Sequence, residues 1–242
     1  MTPLKTFQNL SAEKQERIIR VATREFGEKG YEGASINAMV QALGIAKGSM
    51  FQYFGDKQGL FLFTFAQSME MVKENLRAVR ERTRERDLFH RLEETLRAGA
   101  TFIRDNPEAY RLYLRILSES RFPYRDDILR SLREYGQGFI RGLLETAEGR
   151  RELAPGIDIG RAGFMIDAVM DRFLQARMIP HMDAGLGIYD ADEEEVSHWI
   201  GSMVGMIRGG IGREGGEAGQ ADAAPSGMPP RETPAPPEGG ER

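Results

Sequence analysis

Gly30, Gly44 and Gly55 cut the N-terminal part of the chain into apolar-patterned segments, each too short to bury a core alone. Ser11 reads as a helix start, and the stretch from Gln15 to Gly30 carries Ile18, Ala22 and Phe26 on one stripe, widened by Ile19. Gly30 can end that helix in a left-handed conformation. Ser35 occupies an N-cap position ahead of Ile36, Met39, Val40 and Leu43, and Gly44 stops this second segment. Ala46 to Tyr53 forms a third short helix, within which Gly48 lets another backbone come close. Gly55 and Asp56 mark the next turn, and Asp56 caps a helix that begins near Lys57 and runs toward Arg84. The three short helices must share one core, expected from Ile18, Ala22, Phe26, Ile36, Val40, Leu43, Ile45, Met50, Phe51 and Phe54. Two helices joined at Gly44 match a helix-turn-helix unit, although spacing alone leaves a simple helical bundle open.

The remainder is also helical in pattern. A helix fits Leu88 to Arg104, closed by Asn106-Pro107, and Pro107 suits the first position of the next one. Pro123 begins a helix reaching about Glu148, and further helices fit Ile157 to Arg177 and Asp192 to Arg208, with Pro180 to Asp190 as an irregular link. No run has the sustained alternation of a strand. From residue 210 the chain turns to Gly, Pro, Ala and Glu, which cannot repay the entropy of ordering, so 210–242 reads as a disordered tail. The expected fold is therefore all-α, with a helix-turn-helix head over 1–56 and a helical body over 57–209.

Composition narrows the function. Cysteine is absent, and His90, His181 and His198 lie far apart, so neither thiolate chemistry nor a metal site is legible. No phosphate-binding glycine loop or Ser-His-Asp arrangement stands out; no cofactor and no catalysis are expected. No run is long and apolar enough for a membrane helix and the start lacks a signal-peptide pattern, which makes a cytoplasmic protein the default. The net charge of −4 does not advertise a nucleic-acid binder, but residues 1–65 carry eight basic and six acidic groups against 25 and 31 in the rest. A slightly basic head on an acidic body follows.

The segment from Ile18 to Leu60 resembles the N-terminal domain of the TetR family of bacterial transcriptional regulators. The resemblance rests on Ile19, Ala22, Phe26, Gly30, Tyr31, Ser35, Ile36, Val40, Gly44, Ile45, Lys47, Gly48, Ser49, Tyr53, Phe54, Lys57 and Leu60. It implies a homodimer that binds a palindromic double-stranded DNA operator and is released by a small molecule held in the body. A repressor is the expected role; an activator or ligand-dependent binder, and a dimeric ligand-binding or scaffold protein with weakened DNA binding, are the alternatives. Ala46 stands where the family usually has a Ser or Thr cap, Phe51 where it most often has Tyr, and Gly55 where Pro often precedes the fourth helix.

The resemblance also assigns roles. The third helix would enter the major groove, exposing Lys47, Ser49, Gln52 and Tyr53 with Ala46 at its entry, and Gln52 could pair with an adenine edge. Ser35, Tyr53 and Lys57 suit phosphate contacts, which position without specifying sequence. In the body, Phe102, Tyr110, Tyr113, Leu117, Phe139, Leu143, Met165, Met170 and Phe173 are candidates to surround an apolar or aromatic effector, as is Phe164. Arg115, Tyr113, Gln137 and Asp167 are the polar groups that could orient it. Gly201, Gly205 and Gly209 recur every four residues, which suggests a close helix crossing at a dimer interface built from Ile166, Val169, Phe173, Ile200, Gly201, Val204 and Gly205. Gly160, Gly163 and Met170 join the first of these helices, and Val196, Met203, Ile207 and Trp199 the second.

Overall fold

The computed structural model describes residues 5–119 and 123–213, and over these the chain is all-α. The helices are α1 (Lys5–Gln8), α2 (Ala12–Gly33), α3 (Ile36–Leu43), α4 (Lys47–Phe54), α5 (Lys57–Arg82), α6 (Leu88–Asp105), α7 (Pro107–Ser118), α8 (Arg125–Gly149), α9 (Ile159–Ala176) and α10 (Glu193–Ile211). Among the described residues the only β feature is an isolated antiparallel bridge between Leu153 and Gly212.

The local signals in the head act as their chemistry dictates. Gly30 takes φ 68° and kinks the last turn of α2, and Gly44 ends α3 in the left-handed region at φ 68° and ψ 34°. Ser35 Oγ accepts from the Ala38 amide at 3.3 Å, and Asp56 Oδ1 accepts from the Gly59 amide at 2.7 Å. Ala46 caps α4 without a side-chain bond. The helix-turn-helix pair is thus α3 and α4.

Three features of the head depart from the sequence expectation. The first is α1, a single turn whose Phe7 is buried against Phe54, Phe63 and Tyr53 at ring distances of 4.9, 5.2 and 6.0 Å. Thr6 Oγ1 also donates to the Gln52 carbonyl at 2.8 Å, tying α1 to α4. The second is Phe51, expected in the core and found 42 % exposed. Phe7 covers the flank of α4 that holds Phe54 and Tyr53, so α4 buries Met50 and Phe54 and turns Phe51 outward. Gly48 likewise is not a close-packing position: a Cβ there would meet nothing within 4 Å.

The head has no closed core of its own. Its apolar cluster continues through Leu60, Phe61 and Phe63 of α5, Leu112 and Ile116 of α7 and Ile128 of α8, across the expected boundary after residue 56. The junction is tight, because a Cβ on Gly27 of α2 would sit 3.1 Å from the Glu108 carbonyl oxygen and 3.3 Å from the Leu112 amide nitrogen of α7. Arg115 of α7 then reaches back to the end of α2, donating to the Gly27 and Glu28 carbonyls at 3.2 and 2.7 Å. These bonds satisfy carbonyls near a helix C-terminus, where a cation is also favoured by the dipole.

The second cluster is the body proper, built from α6, α8, α9 and α10 around Leu92, Leu96, Leu144, Ile166, Phe173 and Ile200. Capping explains its helix starts: Asp87 accepts from Phe89 and His90, Asp158 from Arg161, and Asp192 with Glu195 completes a capping box. Pro107 occupies the first turn of α7 as expected. Helix α8 begins at Arg125 rather than at Pro123, behind Tyr124 in the left-handed region at φ 55°. The irregular link before α10 is held by Arg177, whose Nη1 donates to the Ile188 and Ala191 carbonyls at 2.7 and 2.8 Å.

The expected tail begins too early at residue 210. Helix α10 continues to Ile211, and Ala154 and Arg213 amides donate to the Ile211 and Glu152 carbonyls at 2.9 and 3.0 Å. The rest of the expected tail, from residue 214, lies outside the described residues.

Candidate functional site

Helix α4 is two turns long, and with its inner stripe packed it presents Lys47, Gly48, Phe51 and Gln52 as one exposed face, with Ala46 exposed at its entry. Ser49 and Tyr53 are half-buried at its margins. The backbone of Gln52 is held through Thr6 while its side chain stays exposed, so its amide is available to an outside partner. Tyr53 packs edge-on against Phe7 and Phe54, at ring distances of 6.0 and 6.1 Å. Ser35 uses its hydroxyl as the α3 cap and its amide to donate to Glu25 Oε1 at 3.0 Å. Lys57 is engaged within the head: its Nζ donates to the Glu32 carbonyl at 3.1 Å and lies 5.0 Å from the centre of the Tyr31 ring. A side chain so held contributes charge near α4 and also braces the end of α2 against α5.

A second candidate lies in the body, where α5 to α9 enclose a cavity of about 240 Å³. Of the residues expected around an effector, it brings together Phe102, Tyr110, Tyr113, Phe139 and Met170, with the polar Asp167. Five others lie elsewhere. Leu143 and Phe173 are 2 % and 3 % exposed and fill the body core, Met165 is 67 % exposed on the outer face of α9 with Phe164, and Leu117 lines a separate surface cleft beside Gly27 and Arg115. Of the other expected polar groups, Arg115 belongs to the α2 junction, while Gln137 stands behind Asp167 and donates to its Oδ2 at 3.0 Å.

The sequence reading missed Arg133 and Asp171, which organise the cavity's polar end. Arg133 lies 3.5 Å from Asp167 Oδ2 through Nη1, and its Nη2 donates to Asp171 Oδ2 and Tyr113 Oη, both at 3.2 Å. Tyr113 Oη donates to Asp171 Oδ1 at 3.1 Å, and Gln175 Nε2 to Asp171 Oδ2 at 3.0 Å. Burial, followed by the charge of Asp171, raises the phenols of Tyr110 and Tyr113 well above their ordinary value, so both remain neutral donors. Burial also raises the Asp167 carboxyl, against the lowering effect of Arg133 and Gln137. A signal was present: Asp167 and Asp171 are four residues apart on the α9 face that also carries Met170 and Leu174, an acidic pair inside an apolar stripe.

The expected interface residues divide in two. Ile166, Phe173, Ile200 and Val204 are at most 5 % exposed and belong to the protomer's own core, as do Gly163, Met170 and Met203, with Val196, Trp199 and Ile207 packed against it. Val169, Gly201 and Gly205 are exposed, and a Cβ on either glycine would meet nothing within 4 Å. The outer face of α9 carries Phe164 and Met165, both 67 % exposed, and that of α10 carries Met206 at 69 %. Gly201 and Gly205 share an exposed face as the periodicity implies, but most of the apolar residues expected beside them do not. The large ones turn to the core, because a helix covered on one side buries its widest apolar stripe there.

Residues 18–62, spanning most of α2 through the start of α5, match the family of bacterial regulatory proteins described as tetR. A solved TetR family transcriptional regulator from Chloroflexus aurantiacus superposes with a TM-score of 0.67 at 25 % identity, covering 88 % of this chain and all of that one. The head is that of the TetR family, and the whole chain shares the fold of solved TetR regulators. Among curated relatives, the HTH-type transcriptional repressor AcnR of Corynebacterium glutamicum is 40 % identical over 65 residues, 25 % of this chain and 35 % of that protein. The match thus spans about a third of the length of AcnR. The HTH-type transcriptional regulator RutR of Escherichia coli K12 is 24 % identical over 201 residues, covering 82 % of this chain and 90 % of RutR. The strong identity therefore sits on the TetR head, and the body shares the family's architecture with little of its sequence. No helix among the described residues is long and apolar enough to cross a membrane.

Proposed function

We propose that this chain is a sequence-specific, ligand-responsive transcriptional regulator of the TetR family that acts as a homodimer and represses until a small molecule fills the body cavity. The exposed face of α4 carries the reading: a rigid helix presents an amide, a cation and a bare glycine backbone with no partner of their own among the described residues. An adenine edge suits Gln52, and Lys47 suits a base or phosphate. Residues 1–56 read the operator together with the start of α5, and the body that follows binds effector and partner. The chain would act in the cytoplasm, where a bacterial operator lies.

Helix α7 supplies the means of release. One side of it gives Tyr110 and Tyr113 to the cavity, and the other gives Leu112, Ile116 and Arg115 to the head. A ligand that displaces the tyrosines moves the helix against which Gly27 is seated, and with it the angle of α2. The dimer is expected to form through the outer faces of α9 and α10, around Val169, Gly201 and Gly205, with Phe164, Met165 and Met206 replacing the inward residues first expected there. Exposed apolar groups of this size mark an interaction surface.

Selection of bound sequences from random DNA by the purified full chain tests the proposal. An enriched palindrome, bound with an affinity that falls steeply as salt rises, supports it. Recovery of no palindrome would refute it.

A further inference from the structure

The body cavity is apolar along most of its wall, where Phe65, Phe102, Phe139 and Leu174 come from four different helices. Its polar groups gather at one end, and their charges do not balance. Asp167 and Asp171 share the single guanidinium of Arg133, so the ionised cluster carries a net charge of −1. Arg133 is occupied by both carboxylates and by Tyr113, and an anionic ligand would have to displace them while facing them. Among the described residues both polar contacts of Asp167 fall on Oδ2, which leaves Oδ1 with its capacity to accept.

A second observation points to the same place. Tyr110 is 8 % exposed, and its Oη has no hydrogen-bond partner among the described residues. Buried hydroxyls are rarely left unpaired, because the desolvated group forfeits its bonds to water. Tyr110 lines the cavity, and its ring lies 5.5 Å from that of Tyr113, which joins the Asp171–Arg133 network.

We propose that the cavity binds a small lipophilic amine in its protonated form, with ammonium N–H groups donating to Asp167 Oδ1 and Tyr110 Oη. The cation supplies the missing positive charge. The aromatic and aliphatic wall takes the apolar body of the ligand. Burial holds the Asp167 carboxyl above its ordinary value, and a bound cation offsets that cost. A volume of about 240 Å³ suits one ring and a short chain, since drug-sized ligands occupy sites of about 300–1,000 Å³. The ligand class follows from the cavity alone; its effect on transcription rests on the regulator proposed above.

Calorimetric titration of the full chain with phenylbutylamine, phenylbutanol and phenylbutyrate, which share one apolar skeleton, is the test. The amine should bind at least about tenfold more tightly than the alcohol, the gain of one charge-assisted hydrogen bond, with the carboxylate weakest. D167N should bring amine and alcohol close together, whereas Y110F should raise the melting temperature of the free protein yet weaken the amine several-fold, about the effect of one lost bond. If D167N fails to fold, Y110F decides alone, because it keeps the ring and removes only the orphan hydroxyl. A carboxylate that binds as tightly as the amine overturns the proposal, as does an undiminished amine preference in both variants or binding by none of the three. Amine binding without release of the selected DNA would refute ligand-triggered release and leave the ligand class standing. A palindrome selected by a chain that ignores the amine would do the reverse.

Discussion

Gly48→Ala should move stability and DNA binding in opposite directions. The structure places Gly48 in the first turn of α4 with nothing within 4 Å of an added Cβ and no positive φ, so a methyl group enters open space. Alanine is favoured over glycine in a helix interior by about 1 kcal/mol, which sets an upper bound at this near-terminal position. For a chain of this size such a gain raises the melting temperature by roughly 2–4 °C. The same methyl points into the gap that the groove must fill if α4 enters DNA with its Lys47–Gln52 face. Overfilling a packed contact typically costs about 1–3 kcal/mol, so the affinity for the selected operator should fall by roughly five-fold to a hundred-fold or more. Thermal melts and fluorescence-anisotropy titrations on the same preparations measure both. An unchanged affinity in a stabilised protein would remove the Gly48 face of α4 from the DNA interface. A loss of stability would mean that the glycine packs closely after all, as its place in the sequence first suggested.

Gln52→Ala should cost about 1–3 kcal/mol on the preferred operator and relax preference at one base pair per half-site, whereas equal weakening on every sequence in a binding-site selection would exclude it as a base reader. Lys57→Ala should shallow the salt slope of DNA binding and also lower head stability, since Lys57 braces Glu32 and Tyr31; a melt identical to that of the parent chain would contradict the bracing role. Gly205→Leu should break the dimer in a sedimentation experiment, and because the site is bare in the protomer, folding should survive; a variant that stays dimeric would place the interface elsewhere. Gly27→Ala must push α2 from α7 against backbone atoms, at a cost of about 1–3 kcal/mol set against about 1 kcal/mol of helix propensity. Ligand-induced release of DNA should weaken in it, and release identical to that of the parent chain would show that the signal does not pass through this contact.

The sequence by itself determined the helical class and most helix starts, because caps and turn glycines act locally. Ser35, Gly44, Asp56 and Pro107 behave as their side chains and backbone freedom require whatever surrounds them. The α4 surface was legible only in part: Lys47 and Gln52 face outward as expected, whereas Gly48 and Phe51, expected to pack inside, are exposed and Ser49 and Tyr53 are half-buried. What the sequence could not determine was the side of a helix that a protomer keeps for itself. Ile166, Ile200 and Val204 have the same apolar character whether they fill their own core or a partner's, and periodicity reports a stripe without naming what covers it. Phe51 lost its expected place in the core because a single turn of helix, too short to show a period, brings Phe7 to pack beside Phe54. The cavity depended most on tertiary structure. Tyr113, Arg133, Asp167 and Asp171 come from three helices, and only their meeting makes two carboxylates share one guanidinium beside an unpaired hydroxyl. Charge balance in a buried site is a property of distances between elements, and those distances are set by packing that no local pattern encodes.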